Sequence, residues 1–160
     1  MKFTLLSLLI LSGFIFSEKT PDSLENTIKL FWEARNNKDF EKIFFYESKI
    51  GAITGSSSEN FFFEDPPPDL QSVIDYYSLV QSDVQPTNIK IYELSEDVFL
   101  SLYYLTGIYQ YSNGKINNNY QARVSNIWLW EDQGFKLYYK NFTNLDESLS
   151  PQPIIAYPMN

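Results

Sequence analysis

The chain has 160 residues, 44% of them hydrophobic and 18% aromatic, and a formal net charge of −8. That composition excludes intrinsic disorder, and the acidity argues against binding nucleic acid or an anionic membrane surface. There is no Cys and no His, so disulfides, thiol catalysis, His- or Cys-ligated metals and any Ser–His–Asp or Cys–His catalytic set within the chain are excluded, and no cofactor or metal is expected.

Lys2 precedes the run FTLLSLLILSGFIFS, and the chain turns polar at Glu18-Lys19. A basic residue, a short apolar stretch and a small terminal residue, Ser17, form the secretory pattern. The run is shorter than the ~20 residues of a spanning helix. Residues 1–17 are therefore read as the signal segment of an exported protein, periplasmic or secreted. Ile15 is bulky for a position two residues before a cleavage site, so an uncleaved membrane anchor is the alternative.

The next elements are helical. Thr20-Pro21-Asp22-Ser23 reads as a helix start, with Asp22 and Glu25 spaced as a capping box. Leu24, Ile28, Phe31 and Arg35 follow at helical spacing, and Asn36-Asn37 ends the helix. Asp39 is placed to cap a short second helix carrying Phe40, Ile43 and Phe44. Lys49 to Thr54 reads as a strand, Gly55 to Ser58 as a loop, and Phe61 to Phe63 as a buried strand fragment. Pro66-Pro67-Pro68 then launches a third helix with an apolar stripe of Leu70, Val73, Ile74, Tyr77 and Val80, closed by Asp83 and Pro86.

From Asn88 onward the pattern is all strand: 88–94, 98–105, 107–111, then Asn113-Gly114, a strong hairpin signal, followed by 118–130 and 135–143. Short turns make these neighbours antiparallel. The predicted fold class is α+β, a curved antiparallel sheet wrapped around about three N-terminal helices, spanning residues 22–144. Residues 145–160 form a Pro-containing tail. A sheet bent around helices encloses a conical space, the natural ligand site.

Alternation along the longest strand puts Tyr120, Ala122, Val124, Asn126, Trp128 and Trp130 on one face, a core or pocket wall whose single amide needs a partner. Gln121, Arg123, Ser125, Ile127 and Leu129 make a mixed opposite face suited to a homodimer. The acid pairs Glu64-Asp65, Glu96-Asp97 and Glu131-Asp132 sit at turns and read as solvated charges rather than calcium ligands.

The segment FWEARNNKDFEKI and the closing YQARVSNIWLWEDQGFKLYYKNFTNL resemble the SnoaL-like branch of the nuclear transport factor 2-like superfamily. The counterparts are the corner Asn36-Asn37-Lys38-Asp39, the strand Arg123 to Trp128, and Gly134-Phe135-Lys136-Leu137. The resemblance implies a cone-shaped fold, frequent dimers and an interior pocket, in a family that includes isomerases, cyclases, dehydratases and non-catalytic binders. The positions where catalytic members carry their working groups read Phe31, Thr54, Asn126 and Asn141 here, which supply neither a base nor a His. The expected function is binding of a small apolar ligand, with Phe31, Tyr77, Tyr120, Asn126, Trp128, Tyr139 and Asn141 as candidate pocket residues. Two alternatives stay open: an isomerase, cyclase or hydro-lyase using the carboxyl of Glu47 or Asp75, and an interaction domain with a closed core.

Overall fold

The structure, a computed structural model, describes residues 18–56 and 62–145. The signal segment, Ser57, Ser58, Phe61 and the tail beyond Leu145 lie outside the described residues.

Helix α1 spans Pro21–Asn37. Its N-cap is Thr20, whose side chain accepts from the Ser23 amide at 3.2 Å while Ser23 Oγ accepts from the Thr20 amide, so the capping box begins two residues before the Asp22 expected from sequence. Lys38, left-handed at φ 55°, ends the helix. Asp39 caps α2, Phe40–Tyr46, by accepting from the Lys42 amide, as its position in the sequence implied. Helix α3 covers Leu70–Ser78, with Asp69 as its cap.

Six strands follow or interleave: β1 Ala52–Ser56, β2 Phe63–Asp65, β3 Gln81–Ser95, β4 Val98–Gln110, β5 Ile116–Glu131 and β6 Gly134–Asn144. They form one sheet in the order β2-β1-β6-β5-β4-β3. The expectation of a purely antiparallel sheet is corrected at one seam, since β1 runs parallel to β6. The long intervening chain supplies the crossover that a parallel pair requires, whereas tight turns force β3 to β6 into antiparallel neighbours. Asp132 and Gln133, both at positive φ, make a two-residue turn between Glu131 and Gly134.

Three further corrections concern boundaries. The first strand begins at Ala52, because Lys49 to Gly51 turn, with Gly51 at φ 95° beneath the Asp65 carbonyl. Helix α3 stops at Ser78, and Gln81 to Thr87 pair with β4 instead of extending the helix. Pro86 is tolerated within β3 because β3 is an edge strand. Phe63 is half exposed on the three-residue β2 rather than buried.

The sheet bends where its register slips: at Asn88 and Ile89 and again at Leu94 in β3, near Gly107 between β4 and β5, and at Tyr138 in β6. Each slip adds one extra residue to one of the two strands, which bends and twists that strand. The concave face holds Val84, Phe99, Tyr103, Leu105, Tyr120, Ala122, Val124 and Trp128 against Leu24, Ile28, Phe31 and Trp32 of α1. Asn36 pins the strand beyond: its side-chain amide donates to the Val84 carbonyl at 2.8 Å, and its oxygen accepts from Val84 N–H and Ser82 Oγ.

Gly107 sits at φ 148° with the Asp83 carbonyl oxygen where a Cβ would stand. We expect Gly107→Ala to lower stability by about 2 kcal/mol, read as a reduced urea midpoint with an unchanged slope.

Candidate functional site

Between the helices and the concave face is an open cavity of about 660 Å³. Its walls come from every layer of the fold. Helix α1 contributes Trp32 and Arg35, α3 contributes Val73, Tyr76 and Tyr77, the sheet contributes Ala52, Thr54, Tyr109, Tyr120, Lys140 and Phe142, and Pro66 to Pro68 form a lip. The rings of Tyr109 and Tyr120 stack at 4.9 Å with 24° between their planes, giving a flat aromatic wall.

Two charged clusters face this space. Glu47 caps the C-terminus of α2, where the chain leaves the helix in an extended conformation. Its Oε1 accepts from the Tyr77 hydroxyl at 3.1 Å and its Oε2 from the Lys140 ammonium at 2.8 Å. Only 6% of the Glu47 side chain and 12% of the Lys140 side chain remain exposed, so this is an ion pair largely removed from water. Burial, and next the negative charge of Glu47, push the Tyr77 phenol well above its ordinary pKa, so Tyr77 stays protonated and donates.

Arg35 is the second cluster. Its guanidinium lies 4.6 Å from the centre of the Trp32 ring and 4.5 Å from that of Tyr77, a cation within cation–π range of both. Burial works against its charge, but Tyr77, Tyr109, Tyr76 and Glu47 favour it, and the net pKa is raised. Sequence reasoning missed Arg35 as a site residue. The signal was there, because Arg35 continues the apolar stripe of Ile28 and Phe31 on the inward face of α1.

The residues singled out from sequence separate into those the cavity gathers and those it does not. Glu47, Tyr77 and Tyr120 line it. Phe31 lies beneath it in the core, edge-on to Trp32, Tyr46 and Trp128, because the neighbouring residue Trp32 faces the cavity instead. Trp128 is fully buried and donates from Nε1 to Ser101 Oγ at 2.9 Å. Asn126 is also fully buried: its Nδ2 meets the Tyr103 hydroxyl at 2.9 Å, that hydroxyl also accepts from Trp32 Nε1 at 3.0 Å, and Asn126 Oδ1 has no partner among the described residues.

Tyr139 and Asn141 stand on the other face of the sheet, Tyr139 against Phe62, and Asn141 in an outer depression beside Tyr104 and Arg123. The slip at Tyr138 sets this parity, so that Lys140 and Phe142 point inward. Asp75 is exposed and accepts from Gln71 Nε2 at 2.8 Å, outside the cavity. Thr54 lines the cavity and donates to Asp65 at 2.8 Å. Among the described residues no group of three or more acids is placed to hold a metal ion. At the turn acids, Asp132 pairs with Lys49 and Glu131 accepts from Ser48 Oγ.

Removing one member of a desolvated pair leaves a buried charge unmatched. We expect Lys140→Met to lower the unfolding free energy by about 3 kcal/mol, and the Glu47→Gln, Lys140→Met double variant to lose clearly less than the sum of the single losses in a urea-denaturation cycle.

No protein-family model matches the chain, and no curated protein matches it. Solved structures do match its fold. A nuclear transport factor 2-like protein from Cytophaga hutchinsonii superposes with a TM-score of 0.64 at 15% identity, covering 80% of this chain and all (100%) of that one. A nuclear transport factor 2-like protein of unknown function in nutrient uptake from Rhodospirillum rubrum gives 0.63 at 12% identity, covering 77% and 98%. A ketosteroid isomerase-like protein from Erwinia carotovora atroseptica gives 0.58 at 11% identity, covering 76% and 93%. With three helices set into a curved, unclosed mixed sheet around an open cavity, this chain has the fold of the nuclear transport factor 2-like superfamily.

Proposed function

We propose that the chain is an exported, non-catalytic binding domain of the SnoaL-like type that holds a small, largely apolar ligand in the aromatic cavity. The observation that carries this reading is the state of Glu47, the buried carboxylate of an otherwise aromatic and proline-lined space. Each of its oxygens is engaged by a donor of the protein itself. A carboxylate oxygen keeps a second lone pair after accepting one bond, so what favours binding is the role these bonds give Glu47: both oxygens are committed to donors of two neighbouring elements. Glu47 thereby serves to hold Tyr77 and Lys140 in place, and the aromatic and proline part of the lining is shaped to cover rings and methylenes. Asp75, the other acid considered from sequence, is too far out on the solvent side of α3 to serve the cavity.

One arrangement supports a second reading, an isomerase or hydro-lyase. Tyr77 and Glu47 together resemble a proton donor and acceptor pair lining one cavity. In that case a bound carbonyl compound would exchange its α-proton for deuterium in heavy water, and Glu47→Gln would abolish the exchange. A ligand retained without exchange supports binding alone.

The exposed apolar residues Leu102, Tyr104 and Ile108 of β4 lie on the outer sheet face, and we assign that face to a homodimer. We expect sedimentation to give a dimer at micromolar concentration and Leu102→Asp to give a monomer. A monomeric parent chain would rule the dimer out.

For the cavity, a neutral aromatic probe such as 2-naphthol is expected to quench Trp32 fluorescence on binding. Thr54→Trp, which fills the space from β1, should weaken that probe by about tenfold or more, equivalent to roughly 1.4 kcal/mol. Quenching that ignores the filled cavity would place the probe elsewhere and sink the reading.

A further inference from the structure

The charges inside the cavity do not balance. Glu47 is answered by Lys140 and by the Tyr77 hydroxyl. Arg35 feels Glu47 only at a distance and has no ion-pair partner: among the described residues no carboxylate lies within ion-pair distance of its guanidinium. The other lining acids, Asp65 and Asp69, are exposed at the rim and already occupied, Asp65 by Thr54 and Asp69 by the start of α3.

The Arg35 guanidinium lies within cation–π range of both Trp32 and Tyr77. Ring faces offer no conventional hydrogen-bond acceptor to its five N–H groups, which form a planar fork that matches a carboxylate. Contact with two buried rings restricts the side chain, so less freedom is lost when an anion docks. The site keeps the guanidinium charged but gives it no direct carboxylate partner, so an anion entering the cavity meets a donor fork with no anionic partner of its own.

We infer that the cavity takes an organic carboxylate: a small molecule with an aromatic or apolar body whose carboxylate meets the edge of Arg35. Its body lies along the Tyr109–Tyr120 wall and under the proline lip. This rests on the cavity being the ligand site and adds the charge and class of the ligand.

The test compares two probes of one shape, indole-3-acetate and indole-3-acetamide, by isothermal titration calorimetry with the full-length chain at neutral pH and low salt. The carboxylate is expected to bind about tenfold or more tighter than the amide, the range of a charge-assisted bidentate contact over a neutral one. That preference should shrink as salt is raised and vanish in Arg35→Gln, with Arg35→Lys recovering part of it. Equal binding of the two probes to the parent chain overturns the anion subsite and leaves the cavity reading standing. Binding of neither probe overturns both. If Arg35→Gln does not fold, the decision falls to the parent chain: a carboxylate preference that Thr54→Trp abolishes supports the subsite, and one that survives the filled cavity overturns it.

Discussion

The carboxylate of Glu47 is the joint on which the cavity is built. It sits where α2 ends, and through two hydrogen bonds it ties that end to Tyr77 of α3 and Lys140 of β6. None of these three elements is large. Helix α2 has seven residues and α3 nine, too short to be stable alone. Their positions are therefore set by what they touch. The joint also explains how a Lys comes to point into the concave side of a sheet: its charge is cancelled on arrival. The backbone adds a second tie at the same place, since Ser48 N–H donates to the Leu137 carbonyl at 3.2 Å.

Around that joint the protein separates its charges by purpose. Several of its acids, among them Asp39, Asp97 and Asp132, are at turns and helix starts, where a nearby Lys meets them. The interior runs the other way. Beside a neutralised Glu47, the guanidinium of Arg35 leaves a positive centre inside an acidic protein. Aromatic faces make that arrangement tolerable, since their electron-rich surfaces partly substitute for water around the cation. Tyr77 and Tyr120, which line the space, serve both ends of such chemistry, with flat apolar faces for a ring and hydroxyls that burial keeps protonated.

Much of the architecture was legible because local chemistry and global fold agreed. Asp39 as a cap, the Asn113-Gly114 hairpin and the alternation from Tyr120 to Trp128 each follow from short-range rules, and each is found where those rules put it. What failed were features decided by distant partners. The parallel seam between β1 and β6 depends on a crossover that periodicity does not encode. The end of α3 was misplaced because Gln81 to Pro86 find a pairing strand in β4, which outweighs the helical spacing of the apolar residues before them. At the site, one slipped residue at Tyr138 turns Lys140 and Phe142 inward and Tyr139 and Asn141 outward, a parity no reading of uninterrupted alternation would give. Arg35 was overlooked for a different reason: it was placed in the helical spacing of Leu24, Ile28 and Phe31 but given no role, whereas its neighbours Trp32 and Tyr77 make it part of the wall.

The edge strand β3 carries its own restriction on how copies of this chain meet. A fifteen-residue strand at the border of a sheet is a template for growth, because its outer backbone groups are free to recruit another strand. Here Pro86 has no N–H to offer, and the kink at Asn88, with φ 52°, turns the next residues out of line. An incoming strand would lose its pairing within a few residues of starting. Fibril-like stacking along that border is thereby blocked in the middle of its longest stretch.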